Sequence, residues 1–226
     1  MMADAVVFDF DYTLADSSNG IVKCIQYALD YLGLAPAPES RMRESIGLTL
    51  AATLTYLTGI VDAKTAAEFT RTFVQHADEI MVDHTFFYDT APAVLEELRS
   101  AGVPLGIVTT KYRYRIESIL QREALLPHFG IIVGGEDVEQ HKPHPSSLER
   151  ALAHLGCAPQ QALYVGDHPV DAEAAHRAGV PFVAVLTGMS KRDHFTSFPY
   201  LALLDDLSAL LPVLRRSEEV IRCERT

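Results

Sequence analysis

Apolar residues fall into two kinds of pattern along this chain, and the change between them divides it. AVVF, from Ala5 to Phe8, is a short unbroken apolar run, fit for a strand buried on both faces. The spacing then turns helical for about 70 residues. Ile21, Ile25, Ala28, Leu29 and Leu32 recur at helical intervals, with Asn19 as the expected cap. A second long helix is marked by Ala66, Phe69, Phe73, Ala77, Ile80 and Met81. Between them SIGLTLAATLTYLTGIV, Ser45 to Val61, carries no charge. It is shorter than the ~20 apolar residues of a membrane span. It also holds five serine and threonine hydroxyls, so a buried helix is expected. Nothing from Ser17 to His84 reads as a strand.

From Asp89 onward the two periods alternate. Helix PAVLEELRSAG precedes strand VPLGIVTT, and a helix from about Tyr112 to Glu123 precedes GIIVGG. PSSLERALAHLG leads to ALYVGD, and DAEAAHRAG to PFVAVLTG. YLALL and a helix near Leu207 to Arg216 follow, and the tail SEEVIRCERT is polar and expected to be peripheral. Strands alternating with helices of this length predict an α/β fold, a Rossmann-like parallel sheet core with helices on both faces. That core is expected from residues 1–16 and 87–226, with an all-helical cap, residues 17–86, inserted after the first strand.

Composition narrows the partners. With 226 residues the chain can bury a full-sized core as one large domain or two unequal ones. Its formal charge of -11 argues against nucleic acid and anionic membrane as partners. An anionic substrate would need a local cluster of cations. The N-terminus, MMADAVVFDFDY, has no basic stretch and too short an apolar run for a signal peptide. Cys24, Cys157 and Cys223 are odd in number and scattered, as in a cytoplasmic protein with reduced thiols. A monomer or homodimer is expected.

Candidate chemistry gathers where strands end, because ligands of such sheets bind beyond the carboxyl ends of the strands. AVVF is followed by Asp9 and Asp11, LGIV by Thr109 and Thr110, and ALYVG by Asp167. Lys142 lies in the loop HKPHP after GIIVGG. Asp9 and Asp11, two apart in extended chain, face one side. Asp167 is expected to join them, with Asp171 one helical turn on, where Pro169 pre-sets the first turn. Carboxylates so grouped ionise together only beside cations. A hard divalent ion with oxygen ligands, Mg²⁺, is expected to answer that need, and Lys142 adds a fixed positive charge. Such a pocket suits a phosphoryl group, with Asp9 as nucleophile and Asp11 as the acid/base.

DFDYT, VTTK, KPHP and GDHPVD, in that order, resemble the four motifs of the haloacid dehalogenase-like hydrolases. KPHPSSLERAL and VGDHPVDAEAAHRAG are similar to the phosphoglycolate phosphatase-like subgroup. The resemblance implies that Asp9 is nucleophile and metal ligand, and that Asp11 is acid/base and a ligand through its carbonyl. It implies that Thr109 and Lys142 hold phosphate, that Asp167 ligates the metal and that Asp171 supports it. Asp at position 11 points to a phosphate-ester enzyme, whose partner is a small phosphorylated metabolite. Tyr12 stands where the family most often has glycine, which is acceptable if its φ stays negative.

Other residues read two ways. Thr110 and Lys111 are placed to reach the substrate, yet Lys111, Arg113 and Arg115 read equally as the solvated face of a helix. Arg43, beside the IG dipeptide of the cap, is a candidate for a substrate carboxylate or second phosphate; the alternative is an exposed charge at a helix end. His141, His144 and His168 are taken as rim residues. Phosphoglycolate is the first candidate substrate by subgroup resemblance. The alternatives are a β-phosphoglucomutase-like phosphomutase, an inorganic pyrophosphatase and a non-catalytic phosphate-binding regulator.

Overall fold

The computed structural model describes residues 3–215; Arg216 and the tail SEEVIRCERT, with Cys223, lie outside the described residues. Strand β1 (Ala5–Phe8) is buried throughout, as an uninterrupted apolar run requires. The chain then curls, and the N–H groups of Thr13, Leu14 and Ala15 converge on the Phe10 carbonyl at 3.3, 2.9 and 3.2 Å. Strand β2 (Ala15–Asp16) follows and pairs with β3 (Phe86–Phe87). Two residues are too few to show alternation, so neither strand was predicted. Asp16–Phe86 forms one compact unit, and the chain on either side of it forms the other.

The first of these units is helical: α1 (Ser18–Tyr31), α2 (Glu39–Glu44), α3 (Leu50–Thr58) and α4 (Ala63–Ile80). The long pair α1 and α4 pack on each other, and residues of the predicted stripes are buried in both, Ile21, Ile25, Ala28 and Leu29 in α1 and Phe69, Phe73 and Ala77 in α4. Two expectations are corrected. Asn19 does not cap α1, which begins one residue earlier; Asp16 Oδ1 instead accepts the Ser18 N–H at 2.8 Å. The uncharged stretch is not a wholly buried helix. Only Thr53, Leu54 and Leu57 of α3 are buried. Its outer hydroxyls bond back to their own helix, Thr55 to the Ala51 carbonyl at 3.2 Å and Thr58 to that of Leu54 at 2.7 Å. A helix without charge can therefore still present a satisfied face to water.

The second unit alternates as predicted: α5 (Ala91–Ser100), β4 (Leu105–Val108), α6 (Arg113–Arg122), β5 (Phe129–Val133), α7 (Ser146–Leu155), β6 (Ala162–Gly166), α8 (Pro169–Ala178), β7 (Phe182–Val185) and β8 (Ala202–Leu204). A 3-10 turn at Leu207–Ala209 and a helix over 210–215 end the described chain. The six long strands form one sheet in the order β5-β4-β1-β6-β7-β8, every pair parallel.

Alternate residues serve opposite faces of such a sheet. Val7, Val108, Tyr164 and Phe182 pack with Leu148, Leu152, Ala172 and Ala175 from α7 and α8. Residues of the other parity, Val6, Phe8, Ile107, Leu163 and Val183, are equally buried, so both faces are covered. Phe8 is fully buried at the end of the central strand. Phe8→Ala is expected to cost about 3–5 kcal/mol of unfolding free energy, read from the urea midpoint. A loss below about 1 kcal/mol would show the sheet centre to be loosely packed.

Candidate active site

Strand order itself makes a crevice. From β1 the sheet runs one way through β4 to β5 and the other way through β6, β7 and β8. The loops leaving β1 and its neighbours therefore diverge, which opens a space beyond their carboxyl ends. Asp9 follows β1, Thr109 follows β4 and Asp167 follows β6, so three residues distant in sequence meet there.

Asp9, Asp167 and Asp171 are all buried, and each offers one carboxylate oxygen within 4.8 Å of the others. Lys142 stands among them, its Nζ 3.0 Å from Asp9 Oδ1 and 2.7 Å from Asp171 Oδ1. The Tyr164 hydroxyl accepts from Lys142 at 3.3 Å and donates to Asp171 Oδ1 at 2.9 Å. The other Asp171 oxygen accepts the His168 N–H at 3.1 Å, at the start of α8. Asp171 is thus held at both oxygens, and it holds Lys142 in turn. The Thr13 hydroxyl reaches Asp167 Oδ1 at 3.5 Å.

Asp11 turns elsewhere. Its carboxylate pairs with Lys111 at 2.8 Å, both side chains buried, so its oxygens are not among the three that cluster. The Thr109 hydroxyl accepts the Lys111 N–H at 3.1 Å, and Thr110 beside it is half-buried. Lys111 accordingly does not lie on a solvated helix face, and neither does Arg115, which is buried in α6. Arg113 is the exposed member of that trio and pairs with Asp137 at 3.0 Å. Arg43 belongs to the helical unit. Its guanidinium donates to Glu39 at 2.9 Å, to Asn19 at 2.6 Å and to the Ser18 hydroxyl. His168 caps α8, its Nδ1 accepting the Val170 N–H at 3.1 Å.

Tyr12 corrects a further expectation. Its φ is 61°, in the left-handed region, not negative. That conformation costs a non-glycine residue about 1–2 kcal/mol. The turn that carries the chain from β1 back to Ala15 requires it: the Tyr12 N–H reaches the Ala15 carbonyl at 2.8 Å, and the Tyr12 carbonyl accepts from the Thr187 hydroxyl. Two glycines keep room for the carboxylates. A Cβ at Gly166 would come within 2.7 Å of Asp171, and one at Gly188 within 2.0 Å of Asp167 Oδ2.

Sequence reasoning missed Tyr164 and Thr13 as parts of this cluster. Tyr164 reads as one more apolar position of a buried strand. A buried tyrosine hydroxyl, however, needs a polar partner, and that was the available signal.

Burial sets the electrostatics. It drives the Asp9 carboxyl up, Lys142 pulls it back, and Asp171 and Asp11 add to the rise, leaving it at about 7. Burial likewise pushes Asp167 well above the usual carboxylate range, with Asp171 and Asp9 contributing. For Lys142 burial acts downward, but Asp171 and Asp9 more than offset it and the ammonium stays charged. The group therefore binds protons more readily folded than unfolded. In chelator, the stability due to Asp9 is fully present below its ordinary value of 3.8 and is lost as pH rises through about 7; Asp167 acts with the same sign. Asp167→Asn is expected to flatten this decline and to gain about 1–3 kcal/mol near neutral pH without divalent cation. Thermal unfolding in EDTA across that pH range checks it, and a variant less stable at every pH would contradict it.

Comparison with known proteins agrees with this geometry. The sequence pattern of the haloacid dehalogenase-like hydrolases matches residues 6–185. The chain is 32% identical over 230 residues to a phosphoglycolate phosphatase from Escherichia coli O157:H7, covering 92% of this chain and 91% of that one. It is 31% identical over 218 residues to the pyrophosphatase PpaX of Bacillus cereus (strain AH820), covering 95% and 97%. A solved haloacid dehalogenase-like hydrolase from Bacteroides fragilis superposes with a TM-score of 0.89 at 39% identity, over 92% of this chain and 99% of that one. With its parallel sheet, its strand-end carboxylates and these relatives, the chain belongs to the haloacid dehalogenase-like hydrolases and is similar to the phosphoglycolate phosphatases among them.

Proposed function

We propose that the protein is a Mg²⁺-dependent phosphatase that hydrolyses a small phosphomonoester, phosphoglycolate-like, through a phosphoryl group carried on Asp9. The observation behind this reading is the buried Asp9 carboxylate at the end of the central strand, fixed by Lys142 and close to Asp167 and Asp171. Four buried carboxylates share the site with two lysines, Lys111 and Lys142. An all-oxygen donor set with negative charge in excess fits a hard divalent cation. Asp9 and Asp167 would hold it, with the Asp11 carbonyl, and Asp171 would support it. Bound there, Mg²⁺ would neutralise charge and polarise the phosphoryl group.

The protein's own groups supply the rest. An Asp9 oxygen attacks phosphorus while the bond from phosphorus to the ester oxygen breaks, its electron pair staying on that oxygen. Asp11 gives the departing oxygen a proton. Water then attacks phosphorus and loses a proton to Asp11, the bond to Asp9 breaks, and inorganic phosphate leaves. Lys142, Thr109 and Thr110 hold the phosphoryl oxygens in this reading. Lys142 also keeps Asp9 aimed, because Asp171 and Tyr164 hold the ammonium from behind. Arg43 would have to release Ser18, Asn19 and Glu39 to reach a substrate, so we assign that task to the strand-end residues.

Similarity to a phosphoglycolate phosphatase supports the ester as substrate. Similarity to a pyrophosphatase supports a second reading, in which the leaving group is phosphate. A phosphomutase would return the phosphoryl group to a sugar and release none. A cytoplasmic setting accords with Cys157, a free thiol. No helix among the described residues is long and apolar enough to cross a membrane.

Phosphate release from p-nitrophenyl phosphate, phosphoglycolate and pyrophosphate, each with Mg²⁺ and with EDTA, tests the reading. Turnover should vanish in EDTA and return with Mg²⁺. Asp9→Asn should lower kcat by roughly a thousandfold or more and abolish covalent labelling by a radioactive phosphoryl donor. Turnover that survives Asp9→Asn would remove Asp9 as nucleophile.

A further inference from the structure

The chemistry just described gives Lys142 a task and Lys111 none, although Lys111 is as deeply buried, its side chain 5% exposed against 4% for Lys142. An ammonium out of water is costly unless paired, so a buried lysine needs a reason to be there. Its backbone is pinned on both sides: the Lys111 N–H donates to the Thr109 hydroxyl at 3.1 Å, and its carbonyl accepts the Gly135 N–H at 3.0 Å. From that base the side chain runs over Phe10, with Nζ 5.5 Å from the ring centre, to Asp11 at 2.8 Å. The lysine is therefore built into the site on the Asp11 side, while Lys142 is bound to Asp9 and Asp171.

In the proposed mechanism Asp11 gives its proton to the oxygen that leaves, and the Lys111 ammonium lies 2.8 Å from Asp11. Whatever that oxygen carries must lie on the same side of the pocket, within reach of the ammonium that Asp11 touches. We propose that Lys111 takes up a second negative charge on the leaving group. The substrates are then small phosphate esters or anhydrides with a carboxylate or a further phosphate directly beyond the scissile oxygen. This rests on the phosphatase reading and adds the substrate class to it. An ammonium has three N–H donors that rotate about its stem, so one group can bridge Asp11 and a substrate anion. The contact also pays twice in specificity: a neutral leaving group forgoes a charge-assisted hydrogen bond, and it leaves the second anion's place to water.

A matched pair of esters tests this. Phosphoglycolate and hydroxyethyl phosphate have the same length and differ in carrying a carboxylate or an alcohol. Their kcat/KM values are measured by phosphate release for the full chain with Mg²⁺, and for Lys111→Met, Lys111→Gln and Lys111→Arg. The protein is expected to favour phosphoglycolate by roughly 10- to 100-fold. Lys111→Met and Lys111→Gln should bring that ratio to within about threefold of unity, mainly through KM, and Lys111→Arg should keep most of it. The ratio cancels any loss of active protein, so a partly unfolded variant still reports. If Lys111 only steadied Asp11, both esters would slow by the same factor, and an unchanged ratio overturns the proposal. Pyrophosphate separates the two sources of charge: the substrate that loses more in Lys111→Met carries the anion this lysine prefers. Hydrolysis of both esters without preference by the unmutated protein sinks this inference alone. Release from none of the three substrates sinks the phosphatase reading and this inference with it.

Discussion

Carboxylates crowded together away from water are the constraint on which the rest of this structure turns. Asp9, Asp11, Asp167 and Asp171 are each less than a tenth exposed, where their repulsion is least screened. The fold meets that cost with two lysines used differently. Lys142 binds Asp9 and Asp171 together, and Lys111 takes Asp11 separately. Asp171 is the anchor, since its oxygens also engage Tyr164 and the backbone at the head of α8. The pull on Lys142 from behind keeps its ammonium in place beside Asp9.

The sheet is what makes such crowding possible. β1 lies between β4 and β6, so residues that follow these three strands emerge side by side although they are far apart in the chain. Strands buried on both faces give those positions little freedom. Short loops finish the job. Gly188 lets the loop after β7 press against Asp167, and Gly166 lets β6 run close beneath Asp171. Beside the site strain is accepted where Tyr12 enters the left-handed region in the turn that follows β1.

Much of the fold was legible because its signals are local. AVVF, LGIV, GIIV, ALYVG, FVAV and ALL stand out as apolar runs too short for helices, and all six are strands of the sheet. The stripes of α1 and α4 stand out by their period. Local signals also misled. Asn19 is a good cap by type, but Asp16 was better placed once β2 had set the direction of the chain. The uncharged stretch suggested burial, yet threonines bonding to their own helix leave one face free for water.

By itself the sequence determined the alternation of strands and helices, the helical insertion after the first strand, and which carboxylates stand at strand ends. Those follow from the nearest neighbours of each residue, through period and turn chemistry. Only the tertiary structure decided how the carboxylates divide between the lysines, that Tyr164 backs Lys142, that Lys111 is buried on Asp11 and not on a solvated face, and that Tyr12 has positive φ. Each of these depends on a partner many residues away, and a side chain's charge partner is set by which strands lie next to each other. That order is a property of the whole sheet and leaves no trace in any short stretch of the chain.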